Sequence, residues 1–351
     1  VKGLIFSDIQ FNEWAEFSRI LPNGRNSRLE DQVDVLHEIF SYAIDMGLDI
    51  IFHLGDLFET LSEKISKTLF LTIYEEFVKF SAHGIPVILF VGNHDWVSRA
   101  EVLHIIEPFK QIKNVIVIDE PTFEEIGGVG FALMPYTRVD FRKKVDMLSE
   151  RAKDYDKNYL MVHQGVNGAL TGPRDFVLKN EHPISDFRLD VFQVFGGHYH
   201  KFQVLADGRF IIVGSALQRD FGEREDEKGF LFLDTDGGSI DFIKTHAPRF
   251  HKIEVNQKEP LHLPANFSDR DFLWILSDMD LLSGGDSDII LSLGDRVRLD
   301  VRPVKQVKVR SDLNIGMVVE DQIRSYVKLS GKGLDSEKLV RIGIEKYKRS
   351  I

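Results

Sequence analysis

Carboxylate, amide and imidazole side chains gather in five short motifs, each directly after an apolar run. They are Ser7-Asp8-Ile9-Gln10, Gly55-Asp56-Leu57-Phe58, Gly92-Asn93-His94-Asp95, His163-Gln164-Gly165 and Gly197-His198-Tyr199-His200. These residue types ligate divalent cations, and the set suits two cations side by side. Two such ions ~3.5–4 Å apart repel and need a shared anion between them; Asp56 fits that place. Asp8 and His200 would complete one site, and Asn93, His163 and His198 the other. Gln10 has two readings: a ligand through its side-chain oxygen, or a bystander whose place another residue or a water takes. A cation pair of this kind lowers the pKa of a shared water and makes it a nucleophile near neutral pH. His94 follows Asn93, so it should face substrate rather than metal and stabilise or protonate a leaving oxygen, with Asp95 fixing its orientation. A Gly-Asp pair alone is usually a turn, and a lone buried histidine is usually a hydrogen-bonded core residue. The weight lies in all five motifs falling at strand ends.

Donors scattered this far apart need rigid elements that end together. Leu4-Ile5-Phe6, Ile50-Ile51-Phe52 and Val87-Ile88-Leu89-Phe90-Val91 read as buried strands. Between them Leu29, Val33, Leu36, Phe40 and Ala43, then Ile65, Leu69, Ile73, Phe77 and Phe80, recur at helical spacing. The pattern βαβαβ makes a mostly parallel sheet covered by helices, and the loops at the carboxyl ends of its strands converge on a ligand site. From about Val115 shorter strand candidates, broken by one amphipathic helix between Arg138 and Lys157, suggest a second sheet stacked on the first. The expected fold class is α/β, a four-layer α/β/β/α sandwich. Around Ala247-Pro248 the chain should leave this domain. The expected division is residues 1–248 for the catalytic domain, 249–319 for a small α+β cap and 320–351 for a C-terminal helical segment with a break near Ser330.

The chain has 351 residues, 28% of them charged, and a net charge of −11. The composition is that of a globular protein. It has no cysteine, which excludes thiolate metal sites and a cysteine nucleophile. No apolar run reaches the ~18 residues of a membrane span, and the first residues run straight into a motif, so a cytoplasmic protein is expected. Acidic in total, the chain cannot coat DNA by bulk charge, yet a local basic patch remains open to it. From Arg296 to Arg310 runs such a stretch, with Arg298, Arg302, Lys305 and Lys308 between, against Asp300 alone.

The five motifs resemble those of the calcineurin-like metallophosphoesterase superfamily over residues 1 to about 245. A narrower resemblance rests on His163-Gln164-Gly165-Val166, Gly197-His198-Tyr199-His200-Lys201, the run Gly214 to Glu223, and Glu227-Lys228-Gly229-Phe230. These look like the nuclease subunit of the SbcCD-type DNA repair and recombination complex, phage-encoded members included. That resemblance implies a manganese- or magnesium-dependent nuclease, a 3′-to-5′ exonuclease on duplex ends and an endonuclease on single strands or hairpins. It implies a capping domain that touches DNA, through Arg296, Arg298, Arg302, Lys305, Lys308 and Arg310 here. It also implies a homodimer and a C-terminal segment that docks on an ABC-type coiled-coil ATPase subunit. The family's first motif is Asp-x-His, and here it is Asp8-Ile9-Gln10; the site built from Asp8, Asp56 and His200 should bind its metal less tightly. Two other readings remain: a phosphodiesterase for small nucleotides or a protein phosphatase, and a DNA-end tether with little catalysis.

Overall fold

The computed structural model describes the chain except residues 61–63, 98–101, 173–174, 257–260, 279–280, 282–286, 302–317, 331–334 and 349–351. In chain order the first half runs β1 (Lys2–Phe6), α1 (Ser27–Asp45), β2 (Ile50–His53), α2 (Lys67–Ser81), β3 (Val87–Phe90), β4 (Val115–Ile118), β5 (Thr122–Ile126), β6 (Val129–Met134) and α3 (Phe141–Ala152). It continues with β7 (Asn158–His163), β8 (Leu170–Thr171), β9 (Phe176–Val177), β10 (Gln193–Gly197), β11 (Gln203–Leu205), β12 (Phe210–Ile212), β13 (Gly229–Asp234) and β14 (Ser239–Lys244). Last come β15 (Phe250–Val255), β16 (Phe272–Ser277), α4 (Ser287–Ser292), β17 (Val297–Val301), α5 (Val319–Ser330) and α6 (Ser336–Lys348). The chain forms two compact units, Val1–Val301 and Arg302–Ile351.

Two six-stranded sheets carry the first unit, in the orders β14-β13-β1-β2-β3-β4 and β11-β12-β10-β7-β6-β5. Alternation along each strand sorts its side chains between layers. Leu4, Phe6, Ile51 and Leu89 turn outward to Leu29, Val33, Leu36, Ile73 and Phe77 of α1 and α2. Their neighbours Ile5, Phe52, Ile88 and Phe90 turn inward to meet Phe131, Leu133, Met161 and Phe195 of the other sheet. The outer face of that second sheet, with Ala132, Leu160 and Val194, packs on Phe141, Val145 and Leu148 of α3. The result is the expected order helix, sheet, sheet, helix.

Several expectations are corrected in detail. The segments at Val115, Gly229 and Ile240 do not join the second sheet: β4 lies parallel to β3, while β13 lies antiparallel beside β1 and carries β14 on its far side. The helix expected from Arg138 begins only at Phe141, because Asp140 sits in the left-handed region at φ 54°. α1 is capped by Asn26, whose side chain accepts from the backbone N–H groups of Arg28 and Leu29, a contact worth about 1 kcal/mol.

β15, β16 and β17 form a separate three-stranded parallel sheet over a small core of Leu273, Ile275, Leu281 and Ile290. Phe250 stacks on Phe272 and meets Phe221 edge-on, which ties this sheet to the first unit's large domain. In the second unit α5 and α6 pack together, and a Cβ on Gly343 would lie 2.8 Å from Ile323. Among the described residues no helix is long and apolar enough to cross a membrane.

Candidate metal centre

The motif residues sit at or just beyond the ends of β1, β2, β3, β7 and β10, and the backbone bends sharply there. Asp8, Gln10, Asp56 and His198 all take positive φ, at 52°, 48°, 57° and 89°. Such conformations are costly for residues with a Cβ and persist where the surroundings enforce them. Here the loop after β1 is laced to the loop after β2 by Asp8 N–H to Gly55 O at 3.1 Å, Gln10 N–H to Asp56 O at 3.1 Å and Phe11 N–H to Leu57 O at 2.8 Å. Glycine is required where the loops meet. A Cβ on Gly92 would lie 2.8 Å from Asp56 Cγ and closer still to its Oδ1, and one on Gly197 would lie 2.7 Å from the Leu54 carbonyl oxygen.

Four donors converge most closely. Asp56, His163 and His198 present ligand atoms all within 4.8 Å of one another. Asn93 Oδ1 lies 3.1 Å from His163 Nε2 and 2.8 Å from His198 Nδ1, and His163 Nε2 is 3.4 Å from Asp56 Oδ2. His163 Nδ1–H donates to Leu54 O at 2.5 Å. That fixes the tautomer and leaves Nε2 as the atom facing the cluster. Asp8 is buried, its Oδ2 accepting from Ser7 Oγ at 2.5 Å and from His198 N–H at 2.9 Å. Its Oδ1 is buried with no hydrogen-bond partner. A buried carboxylate oxygen without a partner is costly, and a cation would satisfy it. His200 Nδ1 is held 2.8 Å from Glu223 Oε1, which leaves Nε2 free to ligate. The residues present therefore fit divalent cations.

Charge in the cup follows the same logic. Burial opposes ionisation of Asp56, but the His163 imidazole close by, and then His94, outweigh it and hold the carboxyl well below its usual range. Burial likewise opposes charge on His163, and the Asp56 carboxylate overcomes it and lifts the imidazole to about 9. Two carboxylates thus draw positive charge into a dry site, and a divalent ion would displace the His163 proton on binding. His198 is pushed down to about 3 by burial and by the His163 charge, so its imidazole is neutral.

His94 stands at the rim, one-fifth exposed, with Nε2 3.8 Å from Asp56 Oδ2. Its orientation comes from Glu59, whose Oε1 lies 2.9 Å from His94 Nδ1. This corrects the expectation for Asp95. Asp95 is fully buried and accepts backbone N–H groups from Asp56, Leu57, Phe58 and Gly92; it organises two loops and does not hold His94. Burial disfavours the His94 cation, but the hydrogen bond to Glu59 and the Asp56 charge outweigh it and raise its pKa. Gln10, fully buried, donates Nε2–H to Asp56 Oδ2 at 3.2 Å, and its Oε1 accepts from Arg219. Beside the cup a cleft of about 260 Å³ is lined by His198, His200, Lys201, Arg219 and Glu223.

Of the expected DNA contacts, Arg302, Lys305, Lys308 and Arg310 lie outside the described residues. The Arg296 guanidinium is paired with both oxygens of Asp31 at 3.1 Å and covers the Phe272 ring at 4.7 Å. Arg298 is about half exposed, beside Asp300, over the Trp274 ring at 5.2 Å. Lys252 approaches the same ring at 4.8 Å, and register places Lys252, Trp274 and Arg298 in one row across β15, β16 and β17. Sequence reasoning passed over Lys252 and Trp274, because the row exists only once the strands pair. It also missed Glu59, and it quoted Glu223 within a motif without its contact to His200.

Residues 2–202, more than half of the chain, match the calcineurin-like phosphoesterase family. The chain belongs to that family and is a hydrolase of phosphoester bonds. It is similar to the DNA double-strand break repair protein Mre11 of Methanocaldococcus jannaschii, 27% identical over 269 residues, 70% of each chain. It is also similar to Mre11 of Sulfolobus acidocaldarius, 25% identical over 86% of this chain and 75% of that one. Among solved structures, an archaeal phosphodiesterase aligns with a TM-score of 0.37 at 17% identity, covering 70% of this chain and 100% of that one.

Proposed function

We propose that this protein is a metal-dependent DNA nuclease. The observation that carries the proposal is the convergence of Asp56, Asn93, His163 and His198 below a histidine held at the rim by Glu59, in a chain similar to Mre11 proteins. Asp8, Asp56 and His200 would hold one divalent cation, and Asp56, Asn93, His163 and His198 the other. Manganese is the preferred ion, with magnesium next, since oxygen donors and open coordination suit both. When bound, the cations would neutralise the phosphate and generate the attacking water oxygen.

The chain's own residues supply the rest. Glu59 fixes His94 Nδ1, so Nε2 is the atom turned to the substrate. As the phosphorus–oxygen bond to the leaving nucleotide breaks, His94 Nε2 gives its proton to the departing oxygen. Asp95 keeps the loops of Asp56 and Asn93 in register. The row Lys252, Trp274 and Arg298 supports a backbone-positioning role for β15–β17, which fixes DNA without reading sequence. The functional division then follows residues 1–248, 249–319 and 320–351, with α5 and α6 as the docking segment for an ABC-type ATPase subunit. Cleavage from 3′ ends of duplexes, cleavage of single strands and hairpins, and a homodimeric state complete the proposal, supported by the motif resemblance.

The test is cleavage of an end-labelled duplex in manganese, beside a chromogenic phosphodiester and a phosphomonoester. A nuclease shortens the duplex from its 3′ end, and His94→Gln loses turnover while keeping DNA binding. Hydrolysis of the small esters alone would favour the nucleotide phosphodiesterase reading. Binding without any cleavage would leave only a tether.

A further inference from the structure

Gln10 occupies the position where the family's first motif carries histidine, and its contacts define its role. An amide has one accepting end and one donating end. The accepting end, Oε1, faces the Arg219 guanidinium, and the donating end, Nε2, faces Asp56 Oδ2 at 3.2 Å. Turning the amide over would set an NH2 group against a guanidinium and an oxygen against a carboxylate. Both contacts become repulsive, so the orientation is locked. The atom turned to the shared carboxylate is then a nitrogen with no lone pair for a metal.

Arg219 is itself held in place. Its carbonyl accepts from Arg28 at 2.6 Å, its N–H donates to Glu223 Oε2 at 3.1 Å, and its guanidinium lies 3.6 Å from Glu59 Oε2 and 3.5 Å from Glu223 Oε1. Glu223 is the same carboxylate that holds His200. The side chain is about one-quarter exposed and lines the cleft together with His198 and His200. Two carboxylates and the Gln10 amide thus hold the guanidinium in one place.

We propose that Gln10 is not a cation ligand but the acceptor that pins Arg219 against the cup, so that the centre binds one cation tightly and a second weakly. The tight site is Asp56, Asn93, His163 and His198. The weak one has only Asp8, Asp56 and His200. The proposal rests on the metal-dependent reading above, yet its test counts ions and needs no cleavage, so the two fail separately.

Manganese is titrated into the metal-free full chain, with free ion followed by electron paramagnetic resonance. The expected result is one tight ion per chain with the spectrum of an isolated ion, and a second binding about 10-fold or more weaker. Gln10→His should yield two tight ions with a spin-coupled spectrum. Arg219→Met frees the amide to turn its oxygen inward and should tighten the second ion by about 10-fold. Two equally tight ions in the wild-type chain would overturn the proposal alone, as would an unchanged second affinity in both variants; no bound ion at all would overturn the metal-dependent reading with it. If Arg219→Met does not fold, the wild-type count and Gln10→His still decide.

Discussion

His94 Nδ1 lies 2.9 Å from Glu59 Oε1, while the carboxylate of the adjacent Asp95 turns the other way, into the protein. Neighbouring acids therefore have different tasks, and their variants should fail differently. Glu59→Gln keeps size and a hydrogen bond but removes the charge that steadies the imidazole. Turnover should fall by about 10–100-fold with metal content unchanged. His94→Gln, which removes the proton donor, should cost about 10²–10⁴-fold. Single-turnover cleavage beside a metal count measures both.

Asp95→Asn should act on stability first. Its two oxygens accept from the N–H groups of Asp56, Leu57, Phe58 and Gly92, and an asparagine NH2 would face some of those donors. Loss of about 2–4 kcal/mol is expected, read as a lowered midpoint in urea, together with weaker metal binding.

Gly92→Ala should abolish tight metal binding while the sandwich still folds, because the added methyl group overlaps Asp56 Oδ1 and its backbone nitrogen. Calorimetric titration with manganese against an unchanged far-ultraviolet circular dichroism spectrum separates the two effects.

Acid sensitivity should trace in part to Asp271. Burial pushes this carboxyl up, but the His251 imidazole at 3.0 Å and the backbone N–H groups of Arg249 and Ser268 outweigh burial and hold it below its ordinary value. A depressed folded-state pKa gives stabilisation that is complete above the unfolded value of about 3.9 and is lost as pH falls through the folded one. Asp271→Asn should lower stability at neutral pH and flatten its decline below pH about 4. Urea midpoints at several pH values test this.

DNA binding should separate Arg298 from Arg296. Removing a phosphate contact lowers the salt slope of binding by about 1. Arg298→Ala and Lys252→Ala should each do so. Arg296→Ala should instead destabilise the fold through the lost Asp31 pair and leave the slope alone.

The layered core was legible because it is written locally. Runs such as Leu4-Ile5-Phe6 need burial on both faces, and the residues after them fall where parallel strands end. Contacts set by distant pairing were not legible. Asp31 claims Arg296 across the first unit, and nothing near Arg296 in sequence announces it. Glu59 was passed over because its meaning depends on a histidine in another loop. The surroundings of Gln10 depend on Arg219, which lies against its oxygen and is far from it in sequence. The hairpin of β13 and β14 looked like part of the second sheet because an isolated apolar strand does not name its neighbour.

β1 lies between β2 and β13, so this strand waits for a segment far later in the chain before both its edges are paired. Pairings this remote in sequence form late, after chain closure has been met. Asp8 hangs from the end of that strand. A chain whose residues 229–234 are not yet in place therefore lacks the full support of Asp8, and the cup of donors is complete only once that remote pairing has formed.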